Sequence, residues 1–335
     1  MRPFSACILD PAGTRLTPDE KAFFRDANPF GFILFARSIE TPDQTRALCA
    51  ELREAVGREA LITIDQEGGR VQRMGAPHWR QWPAPLDMVE QAGAAAPRAA
   101  YLMYRIIADE LRRAGVDSNC APSLDVARPD THPFLRNRCF GSDPAHVGEI
   151  GAAVAQGLLD GGVVPVIKHM PGHGRSVVDT HFDLPVVREK PEVLRMDDFA
   201  PFRALAHLPM AMTAHLVFRE IDAQPVTLSA PMVQLMREDL GFDGLLMTDD
   251  ISMKALDGTP WENAVKALAA GVDVALFCNG SLADRIKVAQ AAGEMPPTSM
   301  ARAQAALDAR KTPMDVDIPA LEAEFEAALG GALHG

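Results

Sequence analysis

The stretch from Val166 to His181 holds the densest group of chemically capable side chains in this sequence. It begins as an apolar run typical of a buried strand and reaches Lys168 and His169 at its end. Adjacent amine and imidazole groups at a strand end suit the recognition of hydroxyl groups or anions. A proline and two glycines then break the regular structure, and the chain continues as a loop that carries an aspartate and a further histidine.

Asp179 and His181 are separated by one residue, which places both side chains on the same side of an extended loop. The carboxylate can then bind one imidazole nitrogen, which fixes the tautomer and leaves the other nitrogen to donate or take a proton. The pattern predicts a proton-transfer pair, and two polar residues on a solvated loop are the structural alternative.

A second apolar run, from Leu245, ends in two carboxylates, Asp249 and Asp250. Two adjacent acids at the end of a buried strand are costly unless they meet partners or a substrate. Asp249 is the candidate nucleophile, with a helix N-cap as its alternative role. Asp250 is expected to brace the segment that follows.

A third run, from Thr63, ends at Asp65 and is followed by Gly68-Gly69, which permits a tight turn, and by Arg73. Asp65 can accept hydrogen bonds from two neighbouring sugar hydroxyls, and Arg73 can supply a fork of donors. A surface turn with a solvated ion pair is the alternative. The glycine pair lacks the spacing and the lysine of a phosphate-binding loop.

These residues belong to a regular alternation of short apolar runs and amphipathic segments. Eight runs are candidate strands buried on both faces of a parallel sheet: Phe4–Asp10, Gly31–Ala36, Ala60–Asp65, Asp117–Leu124, Val163–His169, Pro209–His215, Gly244–Asp249 and Val272–Phe277. Clear candidate helices between them are Thr41–Val56, Pro97–Ala114, Pro144–Leu159, Ala230–Leu240 and Pro260–Ala270. This order predicts an α/β fold, a (β/α)8 barrel of the TIM type, with an open doubly wound sheet as the main alternative.

Polar or charged residues end or follow almost every candidate strand: Asp10, Arg37, Asp65, Asp125, His169, His215 and Asp249. Because the carboxyl ends of all strands of a barrel face the same side, these residues predict a polar, catalytic mouth at that side.

The composition narrows the class of protein. The chain has 335 residues, and 33 Lys and Arg against 45 Asp and Glu give a net charge of −12, which argues against a nucleic-acid or anionic-membrane binder. The five cysteines are dispersed along the sequence, which predicts reduced thiols. We see no secretory signal and no apolar run that approaches the ~18 residues of a membrane span, so we expect a cytoplasmic protein. Residues 1–335 are expected to form one domain, with an irregular C-terminal extension from about Glu294 and a flexible tail from Gly330.

Together the motifs resemble glycoside hydrolase family 3, in particular its short, single-domain bacterial β-N-acetylglucosaminidases of peptidoglycan recycling. The resemblance rests on Lys168-His169-Met170-Pro171-Gly172-His173-Gly174 with Asp179-Thr180-His181, on residues 65–73 and on Thr248-Asp249-Asp250. Supporting matches are residues 33–37, Asn137-Arg138-Cys139-Phe140-Gly141-Ser142-Asp143-Pro144 and Thr213-Ala214-His215. It runs from about Asp10 to Phe277 in order.

The resemblance implies a role for each matching residue. Asp249 would be the nucleophile that forms a glycosyl-enzyme intermediate, and His181, oriented by Asp179, the general acid/base. The terminal sugar would be held by Asp65, Arg73, Arg138, Lys168 and His169. It implies no cofactor and no metal, and a soluble muropeptide substrate, N-acetylglucosamine linked to an anhydro-muramic acid. We further expect a monomer.

The departures from the family pattern lie beside these groups. Met170, Thr180 and Thr248 stand where Phe or Ile, Ser and Ser are common, and Arg175-Ser176 replaces a frequent acidic-Thr pair. They leave the chemistry intact and bear on fine substrate preference. The segment Gly172–Leu184 is expected to be mobile when empty and to close on the sugar.

Three other functions remain open from the sequence. A histidine acid/base removes the charge that would repel an anion, so transfer of the sugar to phosphate is allowed. A metal-dependent barrel hydrolase could use His169, His173, His181 and Asp249 as ligands, although the closely spaced histidine pair usual on an early strand is absent from the sequence. A non-catalytic sugar-binding protein would need neither a nucleophile nor an acid/base.

Overall fold

Eight short parallel strands form the centre of the molecule in the computed structural model, which describes residues 2–178 and 184–330. They are β1 (Ser5–Leu9), β2 (Pro29–Leu34), β3 (Leu61–Ile64), β4 (Ser118–Asn119), β5 (Val164–Met170), β6 (Met210–Thr213), β7 (Leu245–Met247) and β8 (Ala275–Phe277). Two further pairs of short strands lie outside this set: Gln66–Gly68 with Val71–Gln72, antiparallel, and Val186–Val187 with Val217–Phe218, parallel.

The eight strands form two four-stranded ladders, in the orders β8-β1-β2-β3 and β7-β6-β5-β4. The ladders meet at both edges. Between β3 and β4, the amide of Asp117 donates to the carbonyl of Ile62 over 3.1 Å. Between β7 and β8, Met247 and Val274 form a parallel bridge. The strands therefore form one closed ring, and the predicted (β/α)8 barrel is confirmed.

An aspartate at each meeting point joins the ladders a second time. Asp117 Oδ1 accepts from the amide of Ile62 over 2.8 Å, and Asp273 Oδ2 accepts from the amide of Leu246 over 2.9 Å. Both carboxylates are buried, and each is paired with two arginines: Arg53 and Arg310 at Asp117, Arg237 and Arg302 at Asp273. Because both aspartates precede their strands, these ion groups lie at the amino ends of the barrel strands.

Helices surround the barrel. The described residues form α1 (Pro18–Ala27), α2 (Pro42–Val56), α3 (Pro85–Ala92), α4 (Ala96–Arg113), α5 (Pro133–Arg136), α6 (Pro144–Asp160), α7 (Pro191–Met196), α8 (Ala200–Ala204), α9 (Ala230–Glu238), α10 (Pro260–Ala270), α11 (Leu282–Ala292), α12 (Pro297–Asp308) and α13 (Ile318–Ala328). Three 3-10 turns lie at Ala36–Ser38, Gly93–Ala95 and Val226–Leu228.

The helices α2 and α6 each begin with a capping residue followed by a proline. The side chain of Thr41 accepts from the third residue of α2, and that of Asp143 accepts from the third residue of α6. In each case a proline occupies the first turn, where its missing N–H would have had no partner in the helix.

The predicted strand Asp117–Leu124 is much shorter than expected, since only Ser118–Asn119 is regular. Pro122 has no N–H to donate to a neighbouring strand, which explains the loss of the regular ladder beyond Asn119. The chain still runs beside β5, where the carbonyls of Ala121 and Pro122 accept from Val166 and Lys168.

The expectation of an irregular extension from about Glu294 is corrected. This region contains two regular helices, α12 and α13, of 12 and 11 residues. Three of the four prolines of this region lie at or just before the helix starts, where they favour helix formation, and Pro313 lies in the loop between the two helices. One cluster of buried apolar side chains extends from Phe4 to Leu329, so the C-terminal helices pack on the same core as β1.

Candidate active site

A cavity of about 350 Å³ lies at the carboxyl ends of the barrel strands. Six of the eight residues predicted to act on or hold a sugar line it: Asp65, Arg73, Arg138, Lys168, His169 and Asp249. The other two, Asp179 and His181, lie outside the described residues. Every predicted site residue that the structure describes therefore reaches the same cavity.

Asp65, directly after β3, is held by two cations. Lys168 Nζ lies 2.8 Å from Oδ1, and Arg73 Nη2 lies 3.1 Å from Oδ2. Burial opposes ionisation, but Lys168 and Arg73 outweigh it and hold the pKa of Asp65 well below its usual range. Asp65 is therefore a permanent anion whose remaining lone pairs can accept hydrogen bonds from hydroxyl groups.

Glu67 is buried behind the cavity wall, where two cations bind it. Arg138 makes a bidentate pair, Nε to Oε2 over 2.9 Å and Nη2 to Oε1 over 2.8 Å, and Lys168 Nζ lies 2.6 Å from Oε1. Burial raises the pKa of Glu67, but the positive charges of Arg138 and Lys168 lower it by more than burial raises it. The pKa is therefore about 2. A carboxylate that stays ionised cannot donate a proton near neutral pH, so Glu67 is unsuited to be a general acid.

Asp125 positions two histidines at the end of β5. Its Oδ2 lies 2.7 Å from His169 Nδ1, and its Oδ1 accepts from the amide of His173 over 2.7 Å. The two imidazole rings are in an edge-to-face contact with centroids 5.3 Å apart. His169 Nε2 lies 3.4 Å from Arg138 Nη2 and is directed toward the cavity wall.

The group that could hold a metal ion in the described part of the chain is this same set, Asp125, His169 and His173, whose ligand atoms lie within 4.8 Å of one another. Both oxygens of Asp125 already accept hydrogen bonds from the two histidines. The guanidinium of Arg138 adjoins His169 as well. Internal bonding and an adjacent positive charge disfavour a cation here.

Asp249 follows β7, and the described residues provide no hydrogen-bond partner for its Oδ2. Its Oδ1 accepts from the amide of Asp250 over 2.8 Å. Burial raises its pKa, but the nearby His215 and His169 lower it more, so the pKa is depressed overall. An ionised carboxylate that lines the cavity is suited to nucleophilic attack.

Asp250 braces the segment after it, as the sequence predicts. Its Oδ1 accepts from the amide of Ser252 over 3.0 Å and from the amide of Cys278 over 3.4 Å. Its carbonyl lies 3.0 Å from His215 Nε2, whose other ring nitrogen lies 2.8 Å from the hydroxyl of Thr227. This chain of contacts fixes the loop that carries Asp249.

Arg175, one of the departures from the family pattern, connects the chain on both sides of residues 179–183. Its guanidinium binds Asp198 over 2.6 Å and Asp197 over 3.1 Å at the start of α8, and Glu189 over 3.1 Å. Arg128 pairs with the same two aspartates. The segments that lead to and from Asp179 and His181 are thus tied to the barrel by this ion-pair group.

Sequence reasoning did not assign roles to three residues of the site: Glu67, Asp125 and His173. Asp125 was noted only as a strand-end acid, Glu67 as part of the motif of residues 65–73 and as the first alternative to His181 as general acid, and His173 as part of the family motif and as a possible metal ligand. Their roles depend on partners far along the chain, such as Arg138 for Glu67, 71 residues away. The one signal in the sequence for these roles was the position of Asp125 at a polar strand end.

The family model described as "Glycosyl hydrolase family 3 N terminal domain" matches residues 11–308. The chain belongs to glycosyl hydrolase family 3. It is therefore a glycoside hydrolase, as the motifs predicted, and the family agrees with the barrel described above.

Relatives and solved structures of this family align with most of the chain. A protein named Beta-hexosaminidase from Thiobacillus denitrificans is 37% identical over 292 residues, which cover 83% of this chain and 80% of that protein. The crystal structure of native NagZ from Neisseria gonorrhoeae is 30% identical, with a TM-score of 0.83, and covers 98% of this chain and 96% of that one. A family 3 β-N-acetylglucosaminidase from Paenibacillus sp. is 27% identical, with a TM-score of 0.87, and covers 97% of this chain and 67% of that chain.

Proposed function

We propose that this hydrolase is an exo-acting, retaining β-N-acetylglucosaminidase that removes terminal N-acetylglucosamine from soluble peptidoglycan fragments. The observation that carries the proposal is the arrangement of Asp249, an ionised carboxylate with an available oxygen, in the same cavity as the hydroxyl-binding pair of Asp65 and Lys168. A nucleophile beside a sugar-recognition site is what the covalent route requires.

In the first step, an oxygen of Asp249 attacks the anomeric carbon and forms a glycosyl ester as the bond to the leaving oxygen breaks. His181, oriented by Asp179, donates its proton to that oxygen. In the second step, His181 takes a proton from water, the water oxygen attacks the anomeric carbon, and Asp249 is released. Two displacements retain the configuration of the sugar.

Recognition of the terminal sugar is assigned to five charged or polar side chains: Asp65, Arg73, Arg138, Lys168 and His169. The carboxylate accepts hydrogen bonds from hydroxyls and the cations donate them, whereas His169, whose Nδ1 is bonded to Asp125, presents its Nε2. Contacts among them and with Glu67 and Asp125 hold these side chains in place before the sugar arrives, which reduces the free-energy cost of ordering them on binding.

The size of the cavity and the names of the relatives both support a small soluble substrate. The cavity of about 350 Å³ is near the lower end of the range for small-molecule sites, which supports binding of one terminal sugar. Relatives named Beta-hexosaminidase, and the structure of the Neisseria gonorrhoeae protein with N-trifluoroacetyl-D-glucosamine, support the N-acetyl preference. The muropeptide aglycone and a monomeric state belong to the proposal.

The proposal includes a cytoplasmic location. All five cysteines lie within the described residues and are buried free thiols, which suits a reducing compartment. No helix among the residues that the structure describes is both long and apolar enough to cross a membrane.

The decisive experiment is mass spectrometry of the protein after reaction with a 2-acetamido 5-fluoro glycosyl donor. We expect one sugar on the peptide that contains Asp249, and fragmentation should place it on Asp249. Asp250→Asn should be labelled at the same residue, because an amide oxygen still accepts the hydrogen bonds that Asp250 receives. Asp249→Ala should not be labelled, and added azide should partly restore its turnover. A label on another residue would refute the mechanism.

The product distinguishes hydrolysis from transfer to phosphate. We expect free N-acetylglucosamine, released at the same rate in phosphate and in phosphate-free buffer. Formation of the sugar 1-phosphate in phosphate buffer would make the enzyme a phosphorylase with the same nucleophile.

A further inference from the structure

His173 is a buried polar side chain whose ring lacks partners. It is 6% exposed, yet neither Nδ1 nor Nε2 has a hydrogen-bond partner among the described residues. The ring lines the same cavity as Lys168 and Asp249. Buried polar groups in folded proteins are almost always hydrogen-bonded, and a ligand in the cavity can supply the partner that the described residues do not.

The position of the ring is set by the surrounding backbone. The amide of His173 donates to Asp125, and the ring packs against His169. The glycines on either side leave no room for a side chain: a Cβ at Gly172 would lie 2.9 Å from the carbonyl oxygen of Asp198, and one at Gly174 would lie 1.9 Å from that of Val126. The imidazole is therefore held in place before any ligand binds.

The ring is also neutral. Burial, with a smaller contribution from His169, lowers the pKa of His173 to about 3. A neutral imidazole has one N–H donor and one acceptor nitrogen. A hydroxyl group has the same two capacities, so the ring and a sugar hydroxyl are complementary.

His215 shows what a purely structural buried histidine looks like in this protein. It is 1% exposed, and both of its ring nitrogens lie within hydrogen-bond distance of partners in the chain, Thr227 and Asp250. The two histidines have similar burial and opposite bonding. The difference indicates that His173 is available to a partner outside the described residues, and a ligand in the cavity that its ring lines can be that partner.

We propose that His173 binds the terminal sugar directly, with its ring hydrogen-bonded to one hydroxyl group of that sugar. The inference rests on the proposed function, because it takes the cavity to be the site of the terminal sugar. It adds His173 to the residues that determine sugar affinity.

The test compares His173→Phe with His215→Phe, since Phe keeps a planar ring of similar size and removes both nitrogens. Without sugar, His173→Phe should unfold at the wild-type temperature or above it, because it removes two unpaired polar groups from a buried position. His215→Phe should unfold at a lower temperature, because it leaves its former partners unpaired.

Binding of N-acetylglucosamine should respond in the opposite way. His173→Phe should weaken the Kd by on the order of tenfold, as measured by calorimetry, which corresponds to loss of about one hydrogen bond. The rise in unfolding temperature caused by a fixed sugar concentration should shrink accordingly. His173→Asn and His173→Gln, which carry a polar atom near the Nδ1 and Nε2 positions respectively, identify the nitrogen that is used: the variant that retains more affinity marks it.

Wild-type sugar affinity in all three His173 variants would overturn the inference. So would an equal loss of stability and affinity in His173→Phe, since that would mean that the ring only supports the cavity wall. Failure of the proposed function is distinguishable, because the wild-type protein would then neither bind N-acetylglucosamine nor release it from an aryl glycoside.

Discussion

Three acids of the site differ in what surrounds them, and this difference determines what each can do. Glu67 is enclosed by Arg138 and Lys168, and Asp65 is held by Lys168 and Arg73. Asp249 receives a backbone N–H and lies in the cavity without such an ion pair among the described residues. Only the last combines an ionised carboxylate with an oxygen free to attack carbon.

Glu67→Gln should lower stability in a pH-dependent way. The pKa of Glu67 is about 2 in the folded protein, against 4.5 as its ordinary value. The folded-state pKa is depressed, so its stabilisation is fully present above about pH 4.5 and is lost as the pH falls through about 2. At pH 7 the variant should lose on the order of 3 kcal/mol, because two buried cations lose their shared anion.

Urea unfolding at pH 7 and at pH 3 measures this difference, with Glu238→Gln on the exposed face of α9 as the control. The gap between wild type and Glu67→Gln should narrow at pH 3, whereas Glu238→Gln should stay within about 0.5 kcal/mol at both. A gap that stays constant or widens toward pH 3 would show that the charge of Glu67 does not stabilise the fold.

His181→Ala should lose most activity on substrates with poor leaving groups, whose departing oxygen must be protonated. The loss in kcat/KM should be smaller for activated aryl glycosides, because an acidic phenol leaves without help. Asp179→Asn should show a milder form of the same pattern, with the limbs of its pH profile displaced. Kinetics across aryl leaving groups of graded acidity measure both variants. A penalty independent of leaving-group acidity would exclude His181 as the general acid.

At the scale of elements, helix α13 supports the hairpin beside the site. Phe325 of α13 is fully buried and packs edge-to-face on Trp82, with ring centroids 5.6 Å apart. The backbone carbonyl of Trp82 accepts a hydrogen bond from the amide of Gly69, and the amide of Trp82 donates to the side chain of Gln72. Both partners lie on the hairpin that precedes Arg73. The C-terminal helix is thus connected through two layers of packing to Arg73, which we propose to bind the sugar.

Phe325→Ala should destabilise the protein by about 3–5 kcal/mol, because it removes a buried aromatic ring from the core. It should also raise the KM for an aryl N-acetylglucosaminide, since the hairpin that carries Arg73 loses its support. Glu324→Ala is the matched control: it removes a surface ion pair with Arg98 on the same helix and should cost less than about 1 kcal/mol. Chemical denaturation and steady-state kinetics measure both effects, and similar losses in the two variants would contradict the assignment.

At the scale of the whole molecule, two aspartates at the amino ends of the strands join the two halves of the barrel. Asp117 and Asp273 occupy equivalent places, each with one strand amide and two arginines. The active-site cavity lies at the opposite, carboxyl ends of the strands. The two aspartate ion groups and the candidate site therefore lie at opposite ends of the barrel.

Asp117→Asn and Asp273→Asn should each lower the free energy of unfolding by on the order of 3 kcal/mol, because buried arginines lose their anion. The kcat/KM of both variants, measured well below the unfolding temperature, should stay close to that of the wild type. A large loss of kcat/KM with unchanged urea midpoints would mean that the ion groups at Asp117 and Asp273 affect the candidate site rather than the stability of the fold.

The sequence by itself determined the eight strands, five of the helices and which described candidate residues share the cavity. The eight apolar runs, the capped helix starts at Thr41 and Asp143, and the polar strand ends are local patterns, each written within a few neighbouring residues. Since parallel strands of a barrel place their carboxyl ends together, those patterns also implied that Asp65, Lys168 and Asp249 would share a cavity.

Only the tertiary structure decided which charged groups pair with one another. Glu67 and Arg138 are 71 residues apart, and Asp65 and Lys168 are 103 apart, so no local pattern indicates either pair. The same is true of Asp125 with its two histidines and of the arginines at Asp117 and Asp273. A pKa depends on the charges and the burial within a few ångströms, and these are set by the folded arrangement of distant segments. The sequence therefore identified the candidate nucleophile, whereas the structure separated it from the acids that are neutralised by buried cations.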